Sequence, residues 1–509
     1  MTLVRFTLTS LLLLALATSA YADDDSKSDK KDDDKTQSFP ELPEDSTTRH
    51  KVTIAGEEIE YLATAGTITL ADEDGNERGH VFYIAYTRLG VEEQAERPVT
   101  FTFNGGPGSS SVWLHLGLMG PRRVLMDDEG FPLAPPAKLV DNEFSLLDVT
   151  DIVCIDPVMT GYSRPAEDEK RDQFHGFNED VKSVGEFIRL WTTRNERWAS
   201  PKYLCGESYG TTRAAGLSGY LQGRHGMYLN GIVLVSSILN FQTARFQVGN
   251  DLPYPLFLPT YTATAFYHGQ LEEELSQDLE KTLREVEVFA QEEYAPALMK
   301  GNRLTMEERD ALATKLARYT GLTKEYVLAT DLRINIHRFT KELRRDEDLT
   351  VGRLDSRFTG RDRDSAGAGT DFDPSYAGIQ GAYTGAVNHY LRSELGYKSD
   401  WTYEILTGRV HPWSYDNVQN SYLNVAETLR KEMSRNRHLQ VYVANGYYDL
   451  ATPYFATHYT FDHLSMDTEY SERVTMGHFE CGHMMYIRRH DLAGLRGQLV
   501  EFYENSRSQ

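Results

Sequence analysis

The chain has 509 residues, enough for one large domain with an insertion or for two to three ordinary domains. Hydrophobic residues make up 40% and aromatics 11%, so a substantial core can be buried, while a formal net charge of −23 repels phosphate backbones and argues against nucleic-acid binding. Three cysteines, Cys154, Cys205 and Cys481, cannot form a disulfide framework, so stability must come from packing.

Residues 1–22 have the form of a secretory signal peptide, with Arg5, a short apolar run from Leu11 to Ala17 and the small-x-small end Ala20-Tyr21-Ala22. The run is too short for a stable membrane span, and no later stretch is longer. This reading predicts cleavage near Ala22 and a secreted or periplasmic protein. Residues 23–48 begin DDDSKSDKKDDDK and carry Pro40 and Pro43, a composition expected of an acidic disordered linker.

Order is expected from about His50. Short β segments at 51–54, 59–62, 67–70 and 81–86 are separated by Gly and Asp/Asn turn signals and point to an antiparallel meander. Buried-strand patterns follow at 99–103, 152–155, 202–205, 231–236 and 439–444. Helical patterns at 180–193, 209–222 and 424–434 alternate with them, which predicts an α/β sheet of parallel character. Residues 241–436 break the alternation. Amphipathic helices are expected at 271–289, 305–319 and 324–339, and a Gly/Asp/Arg-rich loop at 352–374. We read this stretch as a mostly helical cap inserted before the last sheet strand, dividing a core of 49–240 and 437–509.

Gly206-Glu207-Ser208-Tyr209-Gly210 fits G-x-S-x-G, entered by a strand and left by a helix. A sharp strand-to-helix turn lifts a serine Oγ above a sheet, and glycines tolerate the crowding on either side. Asn104-Gly105-Gly106-Pro107-Gly108 follows another strand, where such folds carry a Gly-rich loop that donates an N–H to an oxyanion. In this fold the acid and then the histidine follow the serine. Asp449 stands just past a strand end, and His478 and His483 each follow a glycine before the final helix. Such a set performs acyl transfer: the histidine takes the serine proton, and the acid fixes its tautomer. The pairs His458/His463 and His478/His483 are each spaced five apart, which misses the i, i+4 spacing of a zinc helix, so neither a metal nor a cofactor is expected.

Together these residues resemble the serine carboxypeptidases. The resemblance rests on N-G-G-P-G-S-S-S from Asn104, I-D-P-V-M-T-G-Y-S from Ile155, G-E-S-Y-G from Gly206, the Asp449 strand end and G-H-M at Gly482, with Leu258-Pro259-Thr260-Tyr261 opening the cap. It implies an α/β-hydrolase fold, a Ser208–Asp449–His483 triad and an oxyanion hole from the N–H groups of Gly106 and Tyr209. It also implies recognition of a peptide's free C-terminus by Asn104, Gly105 and Glu207, and it selects His483 over His478. A buried Glu207 that stays protonated can donate to a carboxylate.

Four departures mark the chain as a divergent, bacterial-type member. Leu118 stands where the family usually places a second glutamate, Ser109 where many members have a disulfide cysteine, Tyr447 where an Asp is common and Tyr486 where a proline often follows the histidine. Arg213 is a candidate alternative cation for the carboxylate. An esterase, amidase or acyltransferase on the same fold is the second reading, and a non-catalytic binding protein the third.

Overall fold

The computed structural model describes residues 42–167, 169–464 and 468–507. The segments read as a signal at 1–22 and as a linker, the latter as far as residue 41, lie outside the described residues. Among the described residues the main sheet has ten strands. Its main strands are β1 (Ser46–Ile54), β2 (Glu57–Ala71), β3 (Glu77–Arg88), β4 (Val99–Phe103), β5 (Asp151–Ile155), β6 (Lys202–Glu207), β7 (Gly231–Val235), β8 (Gln440–Gly446) and β9 (Val474–Phe479). They lie in the order β1-β2-β3-β5-β4-β6-β7-β8-β9, with Arg164–Pro165 as a two-residue addition beside β3. β1, β2 and β3 are antiparallel and β3 is antiparallel to β5, while every pairing from β5 to β9 is parallel. The inner strands β4 to β7 are buried at every residue, as their continuous apolar runs require.

Strand alternation sends Tyr203, Cys205, Val233 and Val235 to one face and Leu204, Ile232 and Leu234 to the other. The second face is covered by α1 (Phe177–Arg194) and α2 (Tyr209–His225), the crossovers flanking β6. Between β7 and β8 come α3 (Pro253–Tyr267), α4 (Leu279–Phe289), α5 (Met306–Thr320), α6 (Pro374–His389) and α7 (Ala426–Arg435). α8 (Tyr454–Asp462) precedes β9, and α9 (Arg489–Arg507) closes the first face with Leu495, Leu499 and Phe502. None of these helices is long and apolar enough to cross a membrane.

Several sequence expectations are corrected. The segments 59–62 and 67–70 form one strand, β2, because Gly66 marks a close approach and not a turn: a Cβ there would lie 2.4 Å from Asp45 Cγ. The Asp45 carboxylate accepts from the Thr67 N–H at 2.9 Å. Order begins before His50, since Ser46, Thr47 and Thr48 pair with Ala65, Thr64 and Ala63. The helix expected at 271–289 starts late, where Asp278 caps α4 through the Lys281 N–H. The one expected at 324–339 breaks at Asp331 and Leu332, both with positive φ.

The buried residues of the stretch 241–436 divide among three cores. Its first part, from Leu256 to Val351, builds a separate core that also takes Tyr448, Leu450 and Tyr454. Phe358, Ile379, Tyr383 and Tyr390 return to one face of the sheet, and Val410, Leu429 and Met433 to the other.

Candidate active site

The carboxyl ends of the central strands are level. Phe103 pairs with Gly206, Val235 pairs with both Glu207 and Ala444, and Gly446 pairs with Phe479. The loops bearing Asn104, Ser208, Asp449 and His483 therefore leave the sheet at one edge, where open α/β sheets bind ligands.

Ser208 follows β6 at φ 59° and ψ −128°, in the sparsely populated left-handed half of backbone space. Its N–H donates to Val235 O at 3.0 Å and its carbonyl accepts from the Thr211 N–H at 2.9 Å, which hold the turn. A Cβ at Gly206 would lie 2.2 Å from Gly210 O, and one at Gly210 would lie 2.8 Å from Phe103 O. Glycine is required at both, and the serine between them is half-buried among buried neighbours.

Asp449 and His483 meet across the ends of β8 and β9. His483 Nδ1 donates to Asp449 Oδ2 at 2.7 Å. The same carboxylate accepts from the Ala451 N–H (2.8 Å) and Thr452 N–H (3.0 Å) at Oδ1 and from the Thr452 hydroxyl (2.6 Å) at Oδ2. Burial depresses the His483 imidazole, but the Asp449 charge and hydrogen bond, with Glu207 behind them, raise it above the ordinary value. His483 is held at its own backbone too: its N–H donates to Leu354 O at 2.7 Å and its carbonyl accepts from Ser236 Oγ at 2.6 Å. His478 turns elsewhere. Its Nε2 lies 2.8 Å from His458 Nε2, its ring stacks on Tyr447, and burial with His458 pushes it down to about 4. The histidines that sequence spacing grouped are thus paired differently, and no cluster of three potential metal ligands occurs among the described residues.

The Gly-rich loop packs against the start of α2. A Cβ on Gly105 would lie 2.4 Å from Tyr209 N, and Gly106 has φ 101°. Tyr209 N is the first N–H of α2, one of the donors a helix leaves without an internal acceptor. Asn104 is fixed at three points: Oδ1 accepts from the Leu114 N–H (3.1 Å), Nδ2 donates to Glu207 Oε1 (2.9 Å), and its carbonyl accepts from Arg213 Nη1 (2.5 Å). Arg213 is therefore not a free cation. It is 1% exposed and pairs with Asp180 at 2.8 Å, so it braces the loop from beneath. Replacing Arg213 with Leu leaves Asp180 buried without its partner. Chemical denaturation should show a loss of about 3–5 kcal/mol.

A protein-family model described as serine carboxypeptidase matches residues 62–484. The chain belongs to the serine carboxypeptidase family. Its similarity to individual members is partial. The pheromone-processing carboxypeptidase KEX1 of Saccharomyces cerevisiae (strain JAY291) is 33% identical over 126 residues, 24% of this chain and 16% of that protein. The Cryptococcus gattii KEX1 is 30% identical over 175 residues, 34% of this chain and 24% of its own. The chain thus aligns to well under a third of the length of these relatives. The crystal structure of KEX1(delta)p, a prohormone-processing carboxypeptidase from Saccharomyces cerevisiae, superposes with a TM-score of 0.53 at 16% identity, covering 87% of this chain and 91% of that one. That likeness is one of α/β-hydrolase fold.

The candidate site is also surrounded by residues that sequence reading missed. Asp355 and Arg357, in the Gly/Asp/Arg-rich loop, clamp the histidine loop: Asp355 Oδ2 accepts from the Gly482 N–H at 3.1 Å, and Arg357 donates to Asp355 at 2.7 Å and to Cys481 Sγ at 2.9 Å. Asp156, of the I-D-P segment, accepts from the Ser111 N–H and hydroxyl at 2.8 Å each and fixes the far end of the Gly-rich loop. Ser109 makes no disulfide. The Ser110 N–H bonds to Ile405 O at 2.9 Å and the Thr407 N–H to Gly108 O at 3.0 Å, tying the loop to the insertion instead.

Proposed function

We propose that this chain is a serine hydrolase that removes residues from the free C-terminus of peptides through an acyl-enzyme on Ser208. His483 takes the proton from Ser208 Oγ as that oxygen attacks the scissile carbonyl. Asp449 holds the imidazole in the tautomer whose Nε2 is the acceptor and stabilises the imidazolium that forms. The N–H groups of Gly106 and Tyr209 receive the tetrahedral oxyanion. His483 then returns the proton to the leaving amine, and water repeats the cycle on the ester.

The observation that carries the specificity is Glu207, one residue from the nucleophile. It is buried, joined to Asn104, and burial pushes its carboxyl up to about 7, against His483, Tyr486 and Asn104, which pull it down. A carboxyl that is protonated near neutrality can donate to a peptide's terminal carboxylate, with Asn104 and the backbone of Gly105 beside it. An N-blocked dipeptide with a free C-terminus should therefore be hydrolysed with a kcat/KM at least about tenfold above that of its C-terminal amide. Equal rates on both would instead favour an esterase or amidase. With the free acid, kcat/KM should be bell-shaped in pH: it rises as His483 loses its proton and falls as Glu207 ionises.

We also propose export, on the strength of the signal-like residues 1–22 and the composition after them. Intact mass of protein recovered outside the cytoplasm should correspond to a chain starting near Tyr21 to Asp23.

A further inference from the structure

Glu207 has a partner that the triad does not use. Tyr486, in the short Met485–Ile487 turn before α9, donates its hydroxyl to Glu207 Oε2. Asn104 Nδ2 already donates to Oε1, so each carboxyl oxygen accepts one hydrogen bond. Burial pushes the Tyr486 phenol up, so it stays a donor throughout the physiological range. The remaining titratable groups that face Glu207 are His483, Asp449, Cys205 and the Tyr383 hydroxyl from α6.

The fold makes room for this contact. A Cβ on Gly117 would lie 2.3 Å from Tyr486 Cε2 and 2.9 Å from the Tyr383 hydroxyl, so the glycine is what admits the ring. The neighbouring Leu118 is fully buried and offers no acid. With both oxygens occupied as acceptors, the one thing Glu207 can offer an incoming carboxylate is its own proton. Without that proton, two carboxylates would share a buried site, which is strongly unfavourable.

We propose that Tyr486 is a specificity-determining residue: by donating to Glu207 it positions that carboxyl and sets the pH range over which peptides with a free C-terminus bind. This rests on the carboxypeptidase reading above. The direction follows from the chemistry. A hydroxyl donated to a carboxyl favours the ionised form, so Tyr486 pulls Glu207 down from the value burial alone would give. Removing the hydroxyl leaves Glu207 protonated to higher pH, and the terminal carboxylate of the peptide stays bound there.

The test measures KM and kcat for an N-blocked dipeptide acid, its amide and its methyl ester from about pH 5 to pH 9 in wild type, Tyr486→Phe and Gly117→Ala. In wild type the KM of the acid should climb on the alkaline side and that of the ester should not. In Tyr486→Phe the climb should move up by about one pH unit, with kcat and the ester KM within about twofold of wild type. Gly117→Ala displaces the same hydroxyl without deleting it and should shift the climb in the same direction. Thermal denaturation identifies which variants are folded, and either one carries the test. Acid-KM profiles of both variants that superimpose on wild type overturn the proposal and leave the carboxypeptidase reading standing. Equal handling of acid and amide by wild type at every pH overturns that reading, and the proposal with it.

Discussion

Replacing Ser208 with Ala should lower kcat by about 10⁶-fold while leaving the protein folded. The large loss follows from the division of labour at the elbow. The Ser208 backbone holds the turn, through Val235 O and the Thr211 N–H, and those bonds do not depend on its side chain. Alanine meets the same backbone strain at φ 59° as serine does, so stability should move by less than about 1 kcal/mol. In the proposed mechanism what remains is stabilisation of the oxyanion by Gly106 and Tyr209 and binding of the substrate, worth roughly 10³–10⁴ over the reaction in water. The measurements are single-turnover hydrolysis of an N-blocked dipeptide ester and intact-mass labelling by a fluorophosphonate. Wild type should gain one adduct, mapped to Ser208, and the variant none. A variant that still turns over within about tenfold of wild type would remove Ser208 from the mechanism.

What the sequence made legible is what its chemistry encodes locally. The elbow is five consecutive residues whose glycines are demanded by contacts of 2.2 Å and 2.8 Å to backbone oxygens, so the constraint is written into the string itself. The Gly-rich loop is similar, and the inner strands are legible because burial on both faces forces continuous apolar runs. β9 escaped notice because only Gly477 and Phe479 are buried in it, the pattern of an edge strand. α3 escaped because it is apolar on nearly every side, and a helix without a polar face has no period to detect.

The partners of the site were harder to read because they are remote in sequence. Tyr486 and Glu207 are separated by 279 positions, and Cys481 and Arg357 by 124. Nothing near Tyr486 in the chain distinguishes a buried donor from a residue filling a proline position. Arg213 illustrates the converse. Its place on α2, near the serine, made it a candidate for binding substrate, yet Asp180 and the Asn104 carbonyl occupy its guanidinium. A charge close in sequence to the elbow serine can lie under the Gly-rich loop that packs against the elbow.

Asp449→Asn should lower kcat by about 10⁴-fold with the fold intact, and the bonds around Asp449 explain why so small a change acts so strongly. Oδ1 accepts two backbone N–H groups, from Ala451 and Thr452. An amide nitrogen placed there would face two donors, so asparagine must keep its oxygen at Oδ1 and turn its NH₂ toward the other side. On that side stand the Thr452 hydroxyl, at 2.6 Å, and His483 Nδ1, at 2.7 Å. The hydroxyl can rotate to accept, but Nδ1 can accept only by giving up its proton. His483 is then held as the Nε2–H tautomer, which has no lone pair for the proton of Ser208. Losing the Asp449 charge also removes what raises the imidazole against burial, so the acid limb of kcat/KM should move to lower pH even as the plateau falls. The low-field Nδ1 proton of His483 should disappear from the ¹H spectrum. A variant with wild-type kcat, or one whose acid limb moves upward, would show that Asp449 does not govern His483.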